Sequence, residues 1–226
     1  MEIAVIGSGI SGLSASLFLS KKNNVTLYEK NDYLGGHTNT KTIKYKDKRI
    51  NVDTGFIVFN KLNYPNLMKL FDFHNVAYEN SDMSLSVSNI NNGIEWSGKS
   101  INTIFADRKR IFDVNFLKFL IDILKFNKFV KNNIDELSLD KQPLGEWLNN
   151  KNFSKQFQEN YILPMSAAIW SMNFNDVLKY PISNLFSFFN NHRLLHEKKS
   201  RPQWLTVSNG SKSYIDKILK SVNINK

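Results

Sequence analysis

The sequence predicts an α/β fold: a parallel βαβ unit at its amino end, then an α+β region, then a final turn, helix and strand start. Three observations predict it. An apolar run, a glycine-rich turn, a helical stretch and a second apolar run occupy EIAVIGSGISGLSASLFLSKKNNVTLYEK, residues 2–30. Within 82–105, the alternating MSLSVSN, the turn NNG and the run IEWSG mark a β-hairpin, and from Asn115 the pattern turns helical. Near the end come the turn SNGS, the helix KSYIDKILKS, and VNINK, which reads as the start of a strand.

Each part of the opening has a physical job. EIAVI, Glu2 to Ile6, is a short apolar run suited to a buried parallel strand. Gly7, Gly9 and Gly12 then stand in the spacing GxGxxG, and a helix over Ser11–Lys22 carries Leu13, Leu17 and Leu19. Gly7 permits the tight turn, Gly9 lets backbone approach a pyrophosphate, and Gly12 lets helix and strand pack closely. The helix start offers free N–H groups and a positive dipole end to phosphates. The expected pyrophosphate cradle is therefore Gly7, Ser8, Gly9, Ile10, Ser11 and Gly12. The second strand, VTLYE, ends at Glu29 beside Lys30, about 20 residues downstream, where a carboxylate can hold a ribose 2′-OH. An acid there argues against a 2′-phosphate ligand. An adenine dinucleotide is the ligand these residues specify.

The same stretch is not a signal peptide. Glu2 is the one charged side chain before the apolar run, and Lys21 and Lys22 follow it, the reverse of a signal sequence. No stretch reaches the ~18 uninterrupted apolar residues of a membrane span. The net charge is +10, but Lys outnumbers Arg 25 to 5 and Asn reaches 30, a bias spread along the whole chain. Readers of nucleic acid rely on the bidentate guanidinium, so the charge reads as compositional bias and no nucleic-acid partner is expected. The chain has no Cys, which excludes disulfides, thiolate metal sites and a Cys nucleophile from it. His37, His74, His192 and His196 form no recognisable ligand spacing, so no metal site is expected.

The residues after Glu29 separate NAD from FAD. KNDYLGGHTNT contains the adjacent Gly35 and Gly36. An NAD unit has no requirement for a glycine pair there. FAD is longer at its flavin end, and a second bare stretch of backbone beside it explains the pair.

At this point the chain resembles the flavin-dependent amine oxidase superfamily, which includes monoamine oxidases, phytoene desaturases and protoporphyrinogen oxidases. The resemblance rests on Glu29, then Gly35, Gly36 and His37, then the hairpin TKTIKYKDKRINVDTG ending at Asp53, Gly55 and Phe56. DTGFIVFN (53–60), LPMSAAIWS (163–171) and RPQWLTVSNGSKSYI (201–215) resemble a bacterial subgroup of NAD/FAD-binding amine-oxidase-like flavoproteins. It implies a Rossmann-like FAD-binding domain of the glutathione-reductase type with an inserted α+β substrate or cap domain, truncated at its carboxyl end. It implies that Gly55 and Phe56 approach the flavin ring. Two departures stand out: relatives often carry Arg where this chain has His37, and GGS where it has Asn209, Gly210 and Ser211. Asn tolerates the left-handed conformation, so that turn is expected to survive.

The expected domains are 1–75 for the FAD-binding part, 76–205 for the substrate or cap domain, and 206–226 for an incomplete return to the first. In the helix over 115–132, Asn115, Lys118, Asp122 and Lys125 form a polar stripe, and Phe116, Phe119, Leu120, Ile123, Leu124, Phe126 and Phe129 the apolar remainder. Packing into a helical cap is favoured over contact with a membrane surface. Of Trp170, Phe174, Phe186, Phe188 and Phe189, Trp170 is the candidate pocket residue and the others are expected in the core.

The expected function is an FAD-dependent oxidoreductase in which flavin accepts a hydride from an amine or an apolar, lipid-like small molecule. The 226 residues are expected to be an amino-terminal fragment, inactive by itself and cytoplasmic or peripheral to the inner membrane. No catalytic residue is assigned. The alternatives are an NAD-linked dehydrogenase, which the glycine pair argues against, and a non-catalytic dinucleotide-binding module or remnant.

Overall fold

A computed structural model describes residues 1–196, 198–221 and 224–225 and divides the chain into two compact units, Met1–Asp82 with Gln203–Lys226, and Met83–Pro202. In the first unit β1 (Glu2–Ile6), α1 (Ile10–Leu19) and β2 (Asn24–Tyr28) form the expected βαβ, with β1 and β2 parallel and in register from Glu2↔Asn24 to Ile6↔Tyr28. An antiparallel hairpin follows, β3 (Thr40–Tyr45) with β4 (Lys48–Asp53), then β5 (Phe59–Asn60), α2 (Pro65–Phe73) and β6 (Tyr78–Ser81). Proline opens α2 because its fixed φ suits a first helical turn that needs no N–H there.

The second unit opens with the expected hairpin, β7 (Ser86–Asn89) and β8 (Ile94–Ser97), turning at Gly93 with φ +63°. Helices follow: α3 (Ile101–Ile104), α4 (Val114–Asn132), α5 (Ile134–Leu137), α6 (Leu144–Asn150) and α7 (Lys155–Phe157). A π-helical turn, Gln158–Ile162, leads into α8 (Leu163–Trp170), and α9 (Phe174–Lys179) and α10 (Ile182–Asn191) complete the set. The chain then returns to the first unit as β9 (Trp204–Val207), α11 (Lys212–Ser221) and β10 (Ile224–Asn225).

The return completes two sheets. β10 pairs parallel with β2, giving the order β1-β2-β10, so the strand expected from VNINK exists; its Val222, Asn223 and Lys226 lie outside the described residues. β9 inserts between β5 and β6, antiparallel to both. That pairing explains why the units divide after 82 and 202, where the sequence suggested 75 and 205: β6 and β9 are partners and belong together. The core of this unit joins Leu13, Leu27, Phe59, Phe71, Leu205 and Ile215. β1 departs from the fully buried strand expected. It has a partner on one side only among the described residues, and its residues alternate, leaving Ile6 79% exposed.

The second unit packs around Phe116, Phe119, Phe126, Trp147, Phe157 and Phe186, with Phe126 in contact with five neighbouring rings. Asp113 caps α4, accepting from the backbone N–H of Asn115 and Phe116 at 3.0 and 3.1 Å. Two expectations about α4 fail. Asp122, placed on a polar stripe, is only 6% exposed and accepts from the Ser154 N–H at 3.2 Å. Leu124, placed on the inner side, is 69% exposed. Both follow from the helix being apolar on two sides, with Phe116, Phe119, Phe126 and Val130 filling the inner one. His192 and His196 share no helix face, because α10 ends at Asn191.

Asp53 fastens the return. Its carboxylate accepts from the Ser211 N–H at 2.9 and 3.0 Å, the Ser211 hydroxyl at 2.7 Å and the Thr40 hydroxyl at 2.5 Å. Thr40 in turn accepts from the Lys212 N–H at 2.9 Å, so the two side chains together serve the orphan donors at the start of α11. Just before it, Asn209 at φ +64° and Gly210 at φ +95° make the left-handed turn, and Asn stands in for the usual glycine as expected. Replacing Asp53 by Ala leaves several of these donors unpaired. It should lower unfolding stability by about 1–3 kcal/mol, read as a lower urea midpoint at unchanged slope; an unchanged midpoint would show that the tie contributes nothing.

Candidate functional site: a dinucleotide cradle

The cradle is built where β1 turns into α1. The Gly7 N–H donates to the Tyr28 carbonyl at 2.7 Å, which holds the turn against the end of β2. Gly7 has φ +92°, open to glycine and strained for other residues. A Cβ on Gly12 would lie 1.9 Å from the Gly7 carbonyl oxygen, so the helix can approach the strand this closely only with glycine there. Gly9 is different. Its φ of −63° is ordinary, and a Cβ on it would meet no atom within 4 Å. Gly12 is needed by the fold, and Gly9 faces unfilled space.

The helix start beside that space is bare. Gly9 is the N-cap of α1, no side chain caps it, and the first turn carries no acid. Ile10 and Ser11 are exposed there. These are the conditions under which backbone N–H groups and the helix dipole receive an anion.

The glycine pair packs directly onto this turn. The Gly35 N–H donates to the Ser8 carbonyl at 3.2 Å and to the Ser8 hydroxyl at 3.1 Å. Gly35 has φ +122° and Gly36 +59°, and a Cβ on Gly36 would come within 2.9 Å of Gly9 Cα. Two bare stretches of backbone therefore lie against each other.

Glu29 stands at the end of β2 as expected, and its carboxylate is already organised. Oε2 accepts from the Ser8 N–H at 2.8 Å and from the Ser8 hydroxyl at 2.5 Å, while Oε1 accepts from Asn31 N and Nδ2 at 2.9 and 3.2 Å. These bonds, the Ser8 hydroxyl foremost, hold its pKa down at about 2. Ser8 is fully buried. Lys30 next to it is exposed and turned to solvent.

His37 follows the glycine pair, and its ring is exposed. Its carbonyl accepts from the Phe56 N–H at 3.2 Å, and a Cβ on Gly55 would lie 2.0 Å from the same oxygen. Gly55 is thus required by backbone packing whether or not a ring lies nearby. Phe56 is half-buried and its ring meets Phe59 and Tyr214 at centroid distances of 5.9 and 6.1 Å. The first unit brings the thirteen expected cofactor residues together through turns and contacts of this kind, Lys30 by its backbone, which bonds the Glu29 carboxylate, while its side chain is exposed. Sequence reasoning missed the supporting residues Thr38 and Tyr214, joined by a 2.5 Å hydroxyl bond, because 176 positions separate them.

Trp170 belongs to the second unit. It is half-buried and contacts Tyr180 and Phe188 at ring distances of 5.3 and 4.9 Å. Phe186 and Phe189 are in the core as expected, whereas Phe174 is exposed. Among the described residues, no three His, Asp or Glu side chains gather where they could hold a metal ion.

The uncapped helix start, the space over Gly9 and the ionised Glu29 fit the pyrophosphate and ribose of a dinucleotide. The comparisons agree. Residues 5–73 match the family described as NAD(P)-binding Rossmann-like domain. No curated protein matches the sequence. Among solved structures, the chain is similar to wild-type putrescine oxidase bound to putrescine, at 15% identity and a TM-score of 0.63, covering 100% of this chain and 51% of that one. It is similar to cyclohexylamine oxidase from Brevibacterium oxydans at 14% identity and a TM-score of 0.64, covering 99% and 50%. It is also similar to a conjugated-linoleic-acid-producing fatty acid isomerase from P. acnes at 16% identity and a TM-score of 0.54, covering 98% and 50%. The chain spans about half the length of the structures it matches. The expected α/β fold, a Rossmann-like unit with an inserted α+β region, is the fold observed, and these oxidase and isomerase structures share it over about half their length.

The Ser8–Glu29 contact is directly testable. A carboxylate with a lowered pKa contributes stability at pH above its ordinary 4.5 and loses it as pH falls towards about 2. Replacing Ser8 by Ala should move the Glu29 inflection, followed by NMR of its side-chain carboxyl, up towards the ordinary value. An inflection that stays near 2 would mean that the hydroxyl is not the cause.

Proposed function

We propose that this chain is the amino-terminal half of an FAD-dependent oxidoreductase of the amine oxidase type, acting on an amine or an apolar small molecule. The observation that carries the reading is the packing of Gly36 onto Gly9. A dinucleotide turn needs the first glycines, and the second bare stretch suits a cofactor that extends further along the same backbone.

In this reading the backbone N–H groups at the start of α1 hold the pyrophosphate, and the space over Gly9 admits its oxygens. Glu29 receives the adenosine ribose through Oε1, the oxygen shared with exposed Asn31, while Ser8 keeps Oε2 in place. His37 stands where relatives carry Arg, and its exposed ring is free of the bidentate phosphate contact that a guanidinium makes. Within the second unit, Trp170 with Tyr180 and Phe188 is the aromatic group proposed to contact substrate. When bound, FAD supplies the hydride-accepting chemistry; the protein supplies orientation and electrostatics. No catalytic residue is assigned to this half of the fold.

The second reading, an NAD-linked unit, has the description of the matched family in its favour. Cofactor titration separates the two. FAD added to the purified chain should lose fluorescence on binding, and NAD should bind more weakly. Replacing Gly9 by Leu should weaken FAD binding by tenfold or more, on the order of the loss expected when a side chain fills a phosphate approach, with the circular dichroism spectrum unchanged. NAD binding without FAD binding would establish the second reading. FAD retained but never reduced by amine or alkene donors would leave a binding module.

A further inference from the structure

We infer that the outer face of α4 is a docking surface for an anionic lipid membrane. The inner face of this helix is spent on the core of its unit, through Phe116, Phe119, Phe126 and Val130. The opposite face should then be polar. It is not. Val114, Leu117, Ile121 and Leu124 recur at spacings of three, four and three along one edge, and all are exposed. The turn before the helix extends the strip with Ile111 and Phe112, and Phe112 at 88% and Val114 at 77% are nearly free of protein contact. Six large apolar side chains therefore form one exposed strip, longer than the scattered apolar residues of an ordinary surface.

The charges around the strip decide its occupant. Lys118 and Lys125 lie along one flank, Lys131 along the other, and Lys128 at the carboxyl end of the strip itself; all four are exposed. Arg108 and Lys109 are exposed beside Phe112. The three acids between 107 and 131 do not offset them on this face. Asp107 and Asp113 pair with Arg110 at 3.5 and 2.7 Å, and Asp122 is buried on the other side. A protein partner is a poor match, because lysine is depleted from interfaces between proteins. An anionic bilayer is a good match. Lysine stems lie along apolar surface while their ammonium groups reach lipid phosphates, and apolar side chains enter the acyl boundary beneath. No described helix is long and apolar enough to cross a membrane, so the contact lies in the interface plane.

The test is co-sedimentation of the whole 226-residue chain with mixed phosphatidylglycerol–phosphatidylcholine vesicles and with phosphatidylcholine vesicles alone. The expected result is binding to the mixed vesicles, released by high salt, and little binding to the neutral ones. Ile121→Ser with Leu124→Ser, and separately Lys118→Glu with Lys125→Glu, should each weaken binding on the order of tenfold. Every substituted side chain is exposed, so circular dichroism should not change; the lysine pair keeps the test valid if the apolar pair folds poorly. Equal binding to both vesicle types, or none, overturns the proposal. So does a dimer by light scattering that dissociates in the apolar variant, which would assign the strip to a second copy of the chain.

Discussion

One buried hydroxyl holds the amino-terminal unit's working surface together. Ser8 Oγ donates to Glu29 at the end of β2 and receives the Gly35 N–H from the glycine pair. Three segments that are separate in sequence meet on this atom: the turn after β1, the acid that ends β2, and the second glycine stretch. A buried polar group is stable only with partners, and here the partners are the glycine turn's neighbours, Glu29 and the Gly35 N–H. The ionisation of Glu29, the seating of Gly35 and the shape of the turn therefore rise or fall together.

The glycines divide into two kinds around that atom. Gly12 and Gly55 are fixed by close approach of backbone to backbone, at Gly7 and His37. Their replacement is a question of folding. Gly9 has ordinary dihedral angles and open space beside it. Nothing within the described chain requires it to lack a side chain. The same sequence pattern thus mixes glycines that the packing requires with one that it does not, and only the surroundings of each Cβ position tell them apart.

Much of this unit was legible in the sequence because its information is local. The spacing of Gly7, Gly9, Gly12 and Glu29 fits within thirty residues, and strand, turn and helix follow one another without interruption. Asp53 was legible as a motif residue but not in its role. Its partner Ser211 lies 158 positions away, and nothing local to either residue announces the other. α4 was misread for a different reason. Helical periodicity identifies apolar faces, but when two faces are apolar it does not say which one meets the core, so Leu124 and Asp122 were placed on the wrong sides. β1 was misread because an apolar run reports what a strand can bury, not how many neighbours it finds. The substrate and reaction were not legible at all. The same half-fold occurs in oxidases of putrescine and cyclohexylamine and in a fatty acid isomerase, so what this half shares among them does not specify the chemistry.

The pairing of β10 with β2 sets a schedule for the protein's birth. β2 emerges from the ribosome early, but its parallel neighbour follows after the whole second unit, roughly 200 residues later, or on the order of 10–40 s at ordinary synthesis rates. Until then β2 has β1 alone, and α11, whose Tyr214, Ile215 and Ile218 complete the core of this unit, does not yet exist. The second unit, contiguous from 83 to 202, can fold as it appears. The turn after β1 is thus made well before its sheet gains the third strand. In the interval the growing chain displays an incomplete sheet and the start of α1 to the cell, a span over which these two strands depend on protection during synthesis.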